Sequence, residues 1–151
     1  MKGEMKMKRF LCVLLVCLMV VPSAFALDLE DFNMYAYIFG EEELDASKAI
    51  SASGLIMIDR TSCRVTFSED DNGIKRIIVD GDGIPLLAYS MAAIMTFDSD
   101  SSHFSANAGQ LLSAFLMSRN GETQQGQIAN RNFFLIEKKE DNKGFFFTIG
   151  R

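Results

Sequence analysis

The sequence predicts an α+β domain in which helices pack on an antiparallel sheet of about five strands, in the order α-βββ-αα-ββ. Alternating apolar and polar residues, separated by hairpin-turn residues, predict the strands. Two helical patterns lie between the predicted hairpins, which separates helices from strands along the chain. The 151 residues are 48% hydrophobic and 23% charged, a composition that excludes disorder and suits one domain.

Residues 1–26 are predicted to be a secretory signal peptide, which leaves residues 27–151 as a single α+β domain. Four basic residues precede an uninterrupted apolar run over residues 10–21, and small residues at Ala24 and Ala26 form a cleavage site. The apolar run is shorter than the roughly 20 residues that a membrane-spanning helix needs. Two alternatives are an uncleaved membrane anchor and a lipoprotein attached at Cys17, although Val16 is large for a lipoprotein site.

Removal of the signal peptide makes the chain more acidic. Residues 1–26 hold four basic residues and one acidic residue, so the formal net charge changes from −5 to −8. Such a charge disfavours nucleic acid and anionic membranes as partners, because both attract clustered Lys and Arg. Cys63 is then the only cysteine, which excludes an internal disulfide. We therefore expect a periplasmic or extracellular protein that binds no nucleic acid and, after signal removal, no membrane.

The first predicted element of this domain is a helix over residues 29–39. Asp28 is a typical N-cap residue, apolar residues follow at helical spacing, and Gly40 can end the helix. A strand is the alternative, since Tyr35 and Tyr37 favour β structure. The three acidic residues at 41–43 are predicted to form a solvated connection.

The strands are predicted from a two-residue period and from their turns. Leu55–Asp59 and residues 63–67 read as half-buried strands, and Asp71-Asn72-Gly73 supplies a tight turn to a partner at 74–80. A second hairpin joins residues 127–138 to residues 145–149 through a turn at 141–144. Hairpin connections predict antiparallel pairing.

Two helices are predicted between the hairpins. The first begins near Pro85 and runs to about Phe97 without a charged residue in its interior, which indicates burial on all sides. The second covers residues 105–119 and carries an apolar stripe, and Asn120-Gly121 ends it.

Three short segments of the chain resemble a family of small exported bacterial domains of uncharacterised function. They are the pairs Phe32-Asn33, Tyr35-Ala36 and Phe39-Gly40, then Val79-Asp80-Gly81-Asp82-Gly83, and finally Ala92-Ala93-Ile94. The resemblance implies no catalytic residue. The element order is also similar to that of bacterial secretion chaperones without their last helix, although those proteins are cytosolic.

The sequence offers little support for catalysis or a cofactor. His103 is the only histidine and lies in a polar run without a nucleophile motif, so a loop role is expected. Asp98, Asp100 and Ser102 match the start of a calcium loop, but His103 and Gly109 replace its required Gly and Glu. We predict no catalytic residue, no metal site and no cofactor.

Three further residues have a structural and a functional interpretation. Asp80 and Asp82 could hold a cation, but capping of the helix at Pro85 is the simpler role. Cys63 alternates with Val65 and Phe67, which predicts a buried thiol in the core rather than a nucleophile.

The strands carry more apolar residues than one layer of helices can cover. Phe133 and Phe134 point to opposite faces of the sheet, as do Phe145 and Phe146. Either the first helix or a curled sheet covers the second face, or that face is an interaction surface. On the second interpretation the candidate partner surface is Phe133, Leu135 and Phe146. We expect a non-catalytic module that binds an unknown protein partner or itself; the alternatives are a carrier of a small apolar ligand and an unrecognised enzyme.

Overall fold

The computed structural model describes residues 24–140 and 143–151. Its three α-helices are α1 (Ala24–Ile38), α2 (Gly83–Phe97) and α3 (Phe104–Ser118), with short 3-10 turns at Ala46–Lys48 and Ser101–His103. The strands are β1 (Ile50–Ala52), β2 (Leu55–Asp59), β3 (Cys63–Asp70), β4 (Gly73–Gly81), β5 (Gln124–Ile128), β6 (Asn132–Lys138) and β7 (Phe145–Gly150). The predicted α+β class is confirmed.

The predicted strand count and element order are wrong, because the sheet has seven strands and the order is α-ββββ-αα-βββ. The additional strand β1 has three residues and joins β2 through Ser53 and Gly54. Residues 127–138 contain a turn rather than one strand: Ala129, Asn130 and Arg131 all have positive φ, at 52°, 59° and 76°. Alanine and arginine rarely adopt this conformation, and Asn130, a residue type that does favour it, is the only turn signal in the segment.

The sheet has the strand order β1-β2-β3-β4-β7-β6-β5, and every neighbouring pair is antiparallel. β4 and β7 join the two halves of the chain at the centre of the sheet, where Val79 pairs with Phe147 and Gly81 with Phe145. Side chains alternate between the two faces along each strand, so these registers fix which residues share a face.

All three helices lie on the same face of the sheet. Phe32 of α1 makes an edge contact with Phe67 of β3 at 5.3 Å and stacks on Tyr89 of α2 at 6.1 Å. Phe115 of α3 contacts Phe147 of β7, which the register places on the same face as Phe67. The expectation that the first helix covers the second face is therefore wrong. The largest fully buried side chains are Tyr89, Phe32, Phe67, Phe147, Ile58, Ile77, Ile94, Leu111, Ile136, Ile149, Val65 and Val79.

Helix α1 begins earlier than predicted and ends as predicted. It starts at Ala24, so Asp28 lies inside the helix and is not its N-cap, and the strand alternative is wrong. Gly40 follows its end with φ +82°. The signal-peptide cleavage residues Ala24 and Ala26 lie in the first turn of this helix, and the preceding signal-peptide residues, 1–23, fall outside the described residues.

Helix α2 is held at both its start and its middle. The Asp82 side chain accepts a hydrogen bond from the Gly83 N–H at 2.7 Å and caps the helix, as predicted. Tyr89 donates its hydroxyl to the Glu42 carbonyl at 2.8 Å. The acidic segment at 41–43 is therefore tied to the core at Glu42 rather than wholly solvated.

The two edges of the sheet differ. The edge strand β1 has three residues, whereas the opposite edge strand, β5, has five residues, none of which is charged. The Gln110 side chain of α3 donates its Nε2 hydrogen to the Gln127 carbonyl at 2.7 Å, so a helix side chain occupies part of the β5 edge. Among the helices of the described chain, none is both long enough and apolar enough to cross a bilayer.

Candidate functional site

The sheet face opposite the helices, here called the open face, carries an uncharged central row that crosses all seven strands. The registers align one side chain from each strand across it. With neighbouring strands about 4.8 Å apart, the row is about 29 Å long. In sheet order it consists of Ile50, Met57, Thr66, Ile78, Thr148, Leu135 and Gln125.

Two flanking rows border the central row and differ in charge. The acidic flank contains Asp59, Arg64, Asp80, Phe146 and Glu137. The basic flank contains one charged residue, Arg76, together with uncharged neighbours. In sheet order the basic flank consists of Leu55, Ser68, Arg76, Gly150, Phe133 and Gln127.

The structure places the three predicted partner residues together on the open face, one in each row. Phe133 is 63% exposed, and Leu135 and Phe146 are half-buried. Leu135 lies two residues from Phe133 on β6, and it pairs with Thr148, two residues from Phe146 on β7. By contrast, Phe147 on β7 is fully buried under the helices.

A concavity of about 840 Å³ lies over the β4, β7, β6 and β5 part of this face. Ile78, Thr148 and Gly150 are at its floor, and Phe133 and Arg76 are on either side of Gly150 in the basic flank. A Cβ atom at Gly150 would lie 3.1 Å from the Lys75 carbonyl oxygen and 3.6 Å from the Arg76 Cβ and Cγ atoms. The Arg76 side chain therefore packs beside the Gly150 backbone.

The acidic flank contains two ion pairs within the chain. The Arg64 guanidinium donates to both carboxylate oxygens of Asp59, at 2.5 and 3.3 Å, which lowers the pKa of the Asp59 carboxyl. The Lys139 ammonium lies 2.6 Å from Asp80 Oδ1 and 5.3 Å from the centre of the Phe146 ring. Asp80 therefore pairs with a lysine and does not cap α2, so the predicted capping role is wrong for Asp80.

Arg76 and Glu137 have no ion-pair partner within 4.0 Å in the described part of the chain. Arg151, at the border of the concavity, donates to the Ile74 carbonyl at 2.8 Å and lies 3.4 Å from Asp70 Oδ1. One cation and one anion on opposite flanks are thus available to an external group.

The comparisons with known proteins found no relative. No family model matches the chain, and no curated protein or solved structure does so either. The resemblance to small exported bacterial domains stays a prediction.

His103 is built into the connection between α2 and α3. Its Nδ1 lies 2.9 Å from Asp98 Oδ2, and this hydrogen bond, with the charges of Asp98 and Asp100, raises the pKa of the imidazole. Asp98 is buried; its Oδ2 also accepts from Asn107 Nδ2 at 3.2 Å, and Asn107 Oδ1 accepts from the Ala129 N–H at 3.4 Å. This network joins the start of α3 to the β5–β6 turn, a structural role that the sequence did not indicate for Asn107.

The carboxylates that match the start of a calcium loop form hydrogen bonds within the chain. Asp98 holds His103 and Asn107, and Asp100 accepts hydrogen bonds from the Ser102 N–H and hydroxyl at 2.9 and 2.7 Å. Within residues 24–140 and 143–151 no three His, Cys, Asp or Glu side chains form a group that could hold a metal ion.

Cys63 is buried at one end of β3, as predicted. Burial raises the pKa of its thiol, although hydrogen bonds from the Asp82 backbone and Ser62 oppose the shift. A Cβ atom at the facing Gly81 would lie 2.4 Å from Cys63 Sγ, so the thiol packs tightly against the neighbouring strand. A buried thiol with a raised pKa is a poor nucleophile.

A second apolar surface lies between α2 and α3. It is a groove of about 290 Å³ lined by Leu87, Leu112, Phe115 and other residues. Ile84 and Leu116 at this groove are 75% and 62% exposed. Phe145 of β7 also lines this groove, so it reaches the edge of the sheet between the two helices.

Proposed function

We propose that the chain is exported and acts as a non-catalytic module that binds a protein through the open face. The observation that carries this proposal is the uncharged row across seven strands, with Phe133 exposed beside it, on the face that no described helix covers. The row is uncharged but mixed: four of its residues are apolar, three are polar, and Thr66 is buried. Exposed apolar side chains such as Phe133 and Ile50 on this face support an interaction surface. The concavity of about 840 Å³ extends over four strands of this face, a width that suits the side chains of a protein partner.

The chemistry of the remaining groups supports binding rather than catalysis. The His103 imidazole is held by Asp98, and the Cys63 thiol is buried with a raised pKa. The positions of both groups are therefore explained by roles in stabilising the fold. The net charge of −8 after signal removal supports a protein partner over nucleic acid or an anionic membrane.

Export is tested by sequencing the amino terminus of the protein recovered outside the cytoplasm. We expect Leu27 as its first residue. Ala26→Phe should block processing, because signal peptidase requires a small residue there. An intact Met1 in the membrane fraction would contradict the export proposal.

Binding is tested by photo-crosslinking in the native host. A photoreactive phenylalanine analogue replaces Phe133, and the matched control carries it at Ser113, which is exposed on α3. We expect discrete protein adducts from position 133 and none from position 113, and Leu135→Glu should abolish them. Equal adducts from both positions, or none from position 133, would contradict the proposal.

The groove between α2 and α3 supports a second candidate function, the transport of a small apolar ligand. Its volume of about 290 Å³ is at the lower limit for ligand pockets. Native mass spectrometry of protein purified from its host tests this candidate. A bound small molecule that is lost in Leu112→Glu but kept in Leu135→Glu would establish the carrier function instead.

A further inference from the structure

We propose that the groove between α2 and α3 binds a single-chain amphiphile with a carboxylate head, that is, a fatty acid. The inference rests on the second candidate function, the carrier, because it names the chemical class of the ligand. It does not depend on the open face, which lies on the other side of the sheet. It follows from the shape of the groove, the position of its charges and its volume.

The groove has an exposed apolar rim and an aromatic base. Ile84, Leu112 and Leu116 form the rim and are 75%, 50% and 62% exposed. At the base, the rings of Phe115 and Phe145 make an edge contact with 5.6 Å between their centres, and Phe115 is buried. An alkyl chain in the groove would contact apolar side chains of both helices and of β7. Burial of this apolar surface would drive its binding.

Charge is confined to one end of the groove. Neither α2 nor α3 contains a charged residue, and the charged residues that line the groove are Asp82, directly before α2, and Arg119, directly after α3. Both lie near Phe145, which pairs with Gly81 on one side and with Lys138 on the other. The Lys138 ammonium donates to the Arg119 carbonyl at 3.0 Å. The groove is therefore apolar along its length and charged at one end, as a fatty acid is.

The charges at this end favour an anionic head. Arg119 is exposed, and its guanidinium has no ion-pair partner among the described residues. The Asp82 carboxylate accepts the Gly83 N–H at 2.7 Å as the cap of α2. Together with Lys138, two cations stand against one carboxylate that is already hydrogen-bonded. A guanidinium binds a carboxylate through two parallel hydrogen bonds, so Arg119 is the residue that would hold the head.

The volume of the groove sets the length of the chain. An apolar cavity of about 150 Å³ holds benzene, which has six carbons. The groove measures about 290 Å³, close to twice that volume, and so accommodates roughly a dozen carbons. Dodecanoate matches this length and carries the required carboxylate, which makes it the probe for the site.

Isothermal titration calorimetry of the exported protein tests the head and the chain separately. The probes are dodecanoate, dodecyltrimethylammonium, which has the same chain and a cationic head, and octanoate, which has a shorter chain. We expect dodecanoate to bind one to one below its micellar concentration. Octanoate should bind more than ~10-fold more weakly, since each buried CH₂ changes the Kd about fourfold. The cationic amphiphile should also bind at least ~10-fold more weakly than dodecanoate, because it cannot pair with Arg119.

Substitutions at the two ends of the groove test the same assignment. Arg119→Gln should weaken dodecanoate binding about tenfold, the usual value of a hydrogen bond between charged groups. Arg119→Glu should reverse the preference, so that dodecyltrimethylammonium binds more tightly than dodecanoate. Leu112→Glu should abolish dodecanoate binding, since it places a charge against the alkyl chain. Arg131→Gln, at an exposed arginine in the β5–β6 turn, is the matched control and should bind as the wild type does.

Thermal melting shows whether each variant is folded and whether dodecanoate binds the native state. A ligand of the native state raises the Tm, whereas a denaturing detergent lowers it, so dodecanoate should raise the Tm of the wild type. If Leu112→Glu does not fold, Leu116→Ser replaces it and should weaken dodecanoate binding more than ~10-fold. Unchanged affinity in Arg119→Gln, or equal affinity for the two head groups, would overturn the proposed carboxylate site.

The outcome for the fatty acid is distinguishable from that for the carrier function. If dodecanoate does not bind while protein purified from its host carries a small molecule that Leu112→Glu loses, the fatty-acid inference is wrong and the carrier function stands. If dodecanoate does not bind and the purified protein carries no small molecule, both are wrong.

Discussion

Replacing Phe147 by alanine should destabilise the domain far more than the same change at the adjacent Phe146. Phe147 is 0% exposed, pairs with Val79 and Ile136 on its two neighbouring strands, and contacts Phe115 of α3 at a ring distance of 6.3 Å. Removing a buried phenylalanine costs about 3–5 kcal/mol, from lost transfer free energy and the cavity left behind. A domain of this size loses roughly 4 °C in Tm per kcal/mol, so the Tm should fall by about 12–20 °C.

Phe146→Ala is the matched control on the opposite face. Phe146 is half-buried and contacts the Lys139 ammonium, an interaction worth about 0.5–1 kcal/mol at such a site. Urea unfolding at low protein concentration measures both variants, and an unchanged slope with a shifted midpoint identifies a change in stability. Equal losses in the two variants, without any effect of Phe146→Ala on self-association, would refute the assignment of Phe146 to a binding face.

Three further predictions concern groups away from that pair. Asp98 raises the pKa of His103 in the folded state, so the stabilisation by the protonated imidazole is complete below about pH 6.5, the usual His value, and is lost as the pH rises through the raised pKa. Melting curves of the wild type should show this loss of stability with rising pH. A His103→Gln variant whose melting temperature falls equally with pH would contradict the prediction. Cys63 should react slowly with a thiol reagent in the native protein and quickly in urea, since burial raises its pKa, and rapid native labelling or a disulfide-linked dimer would show that the assignment is wrong. Gly144→Ala should destabilise the domain more than Gly121→Ala. Both glycines have positive φ, so alanine at either position carries a backbone strain of ~1–3 kcal/mol. At Gly144 the new Cβ would also lie 2.1 Å from the Gly81 carbonyl oxygen, whereas nothing lies within 4 Å at Gly121. Equal melting temperatures for the two glycine variants would contradict that reasoning.

The sequence predicts the parts of the fold that are set by local periodicity. Alternation through Cys63, Val65 and Phe67 identifies β3 and its buried face, and an interior without charge identifies α2. Asp82 and Gly40 are recognisable at helix boundaries because few residue types suit these positions. These features depend on neighbours within one turn or one strand.

The features that the sequence missed depend on long-range pairing or on unusual backbone conformations. Ala129 and Arg131 adopt positive φ although neither residue type favours it, so Asn130 between them is the only local signal for the break between β5 and β6. The face on which α1 packs is decided by Phe32 meeting Phe67 and Tyr89, which are far away in sequence. Apolar residues on both sides of β6 and β7 are compatible with helices on one face of the sheet and equally with helices on both faces.

The candidate site was only partly predictable for the same reason. Phe133, Leu135 and Phe146 follow from alternation along two strands, whereas the central row is defined only once seven registers are known. Arg76 pairs in register with Gly150 of β7, a neighbour that no pattern within β4 could indicate.

The hydrogen bond from Gln110 to the Gln127 carbonyl has a consequence for how copies of this chain can assemble. An uncharged edge strand such as β5 offers backbone groups to another strand, and pairing of that kind repeats with each added chain until a fibril forms. The helix amide occupies one of those backbone groups, and the opposite edge, β1, is only three residues long. Growth of an assembly by strand addition along the sheet is thereby disfavoured at both edges.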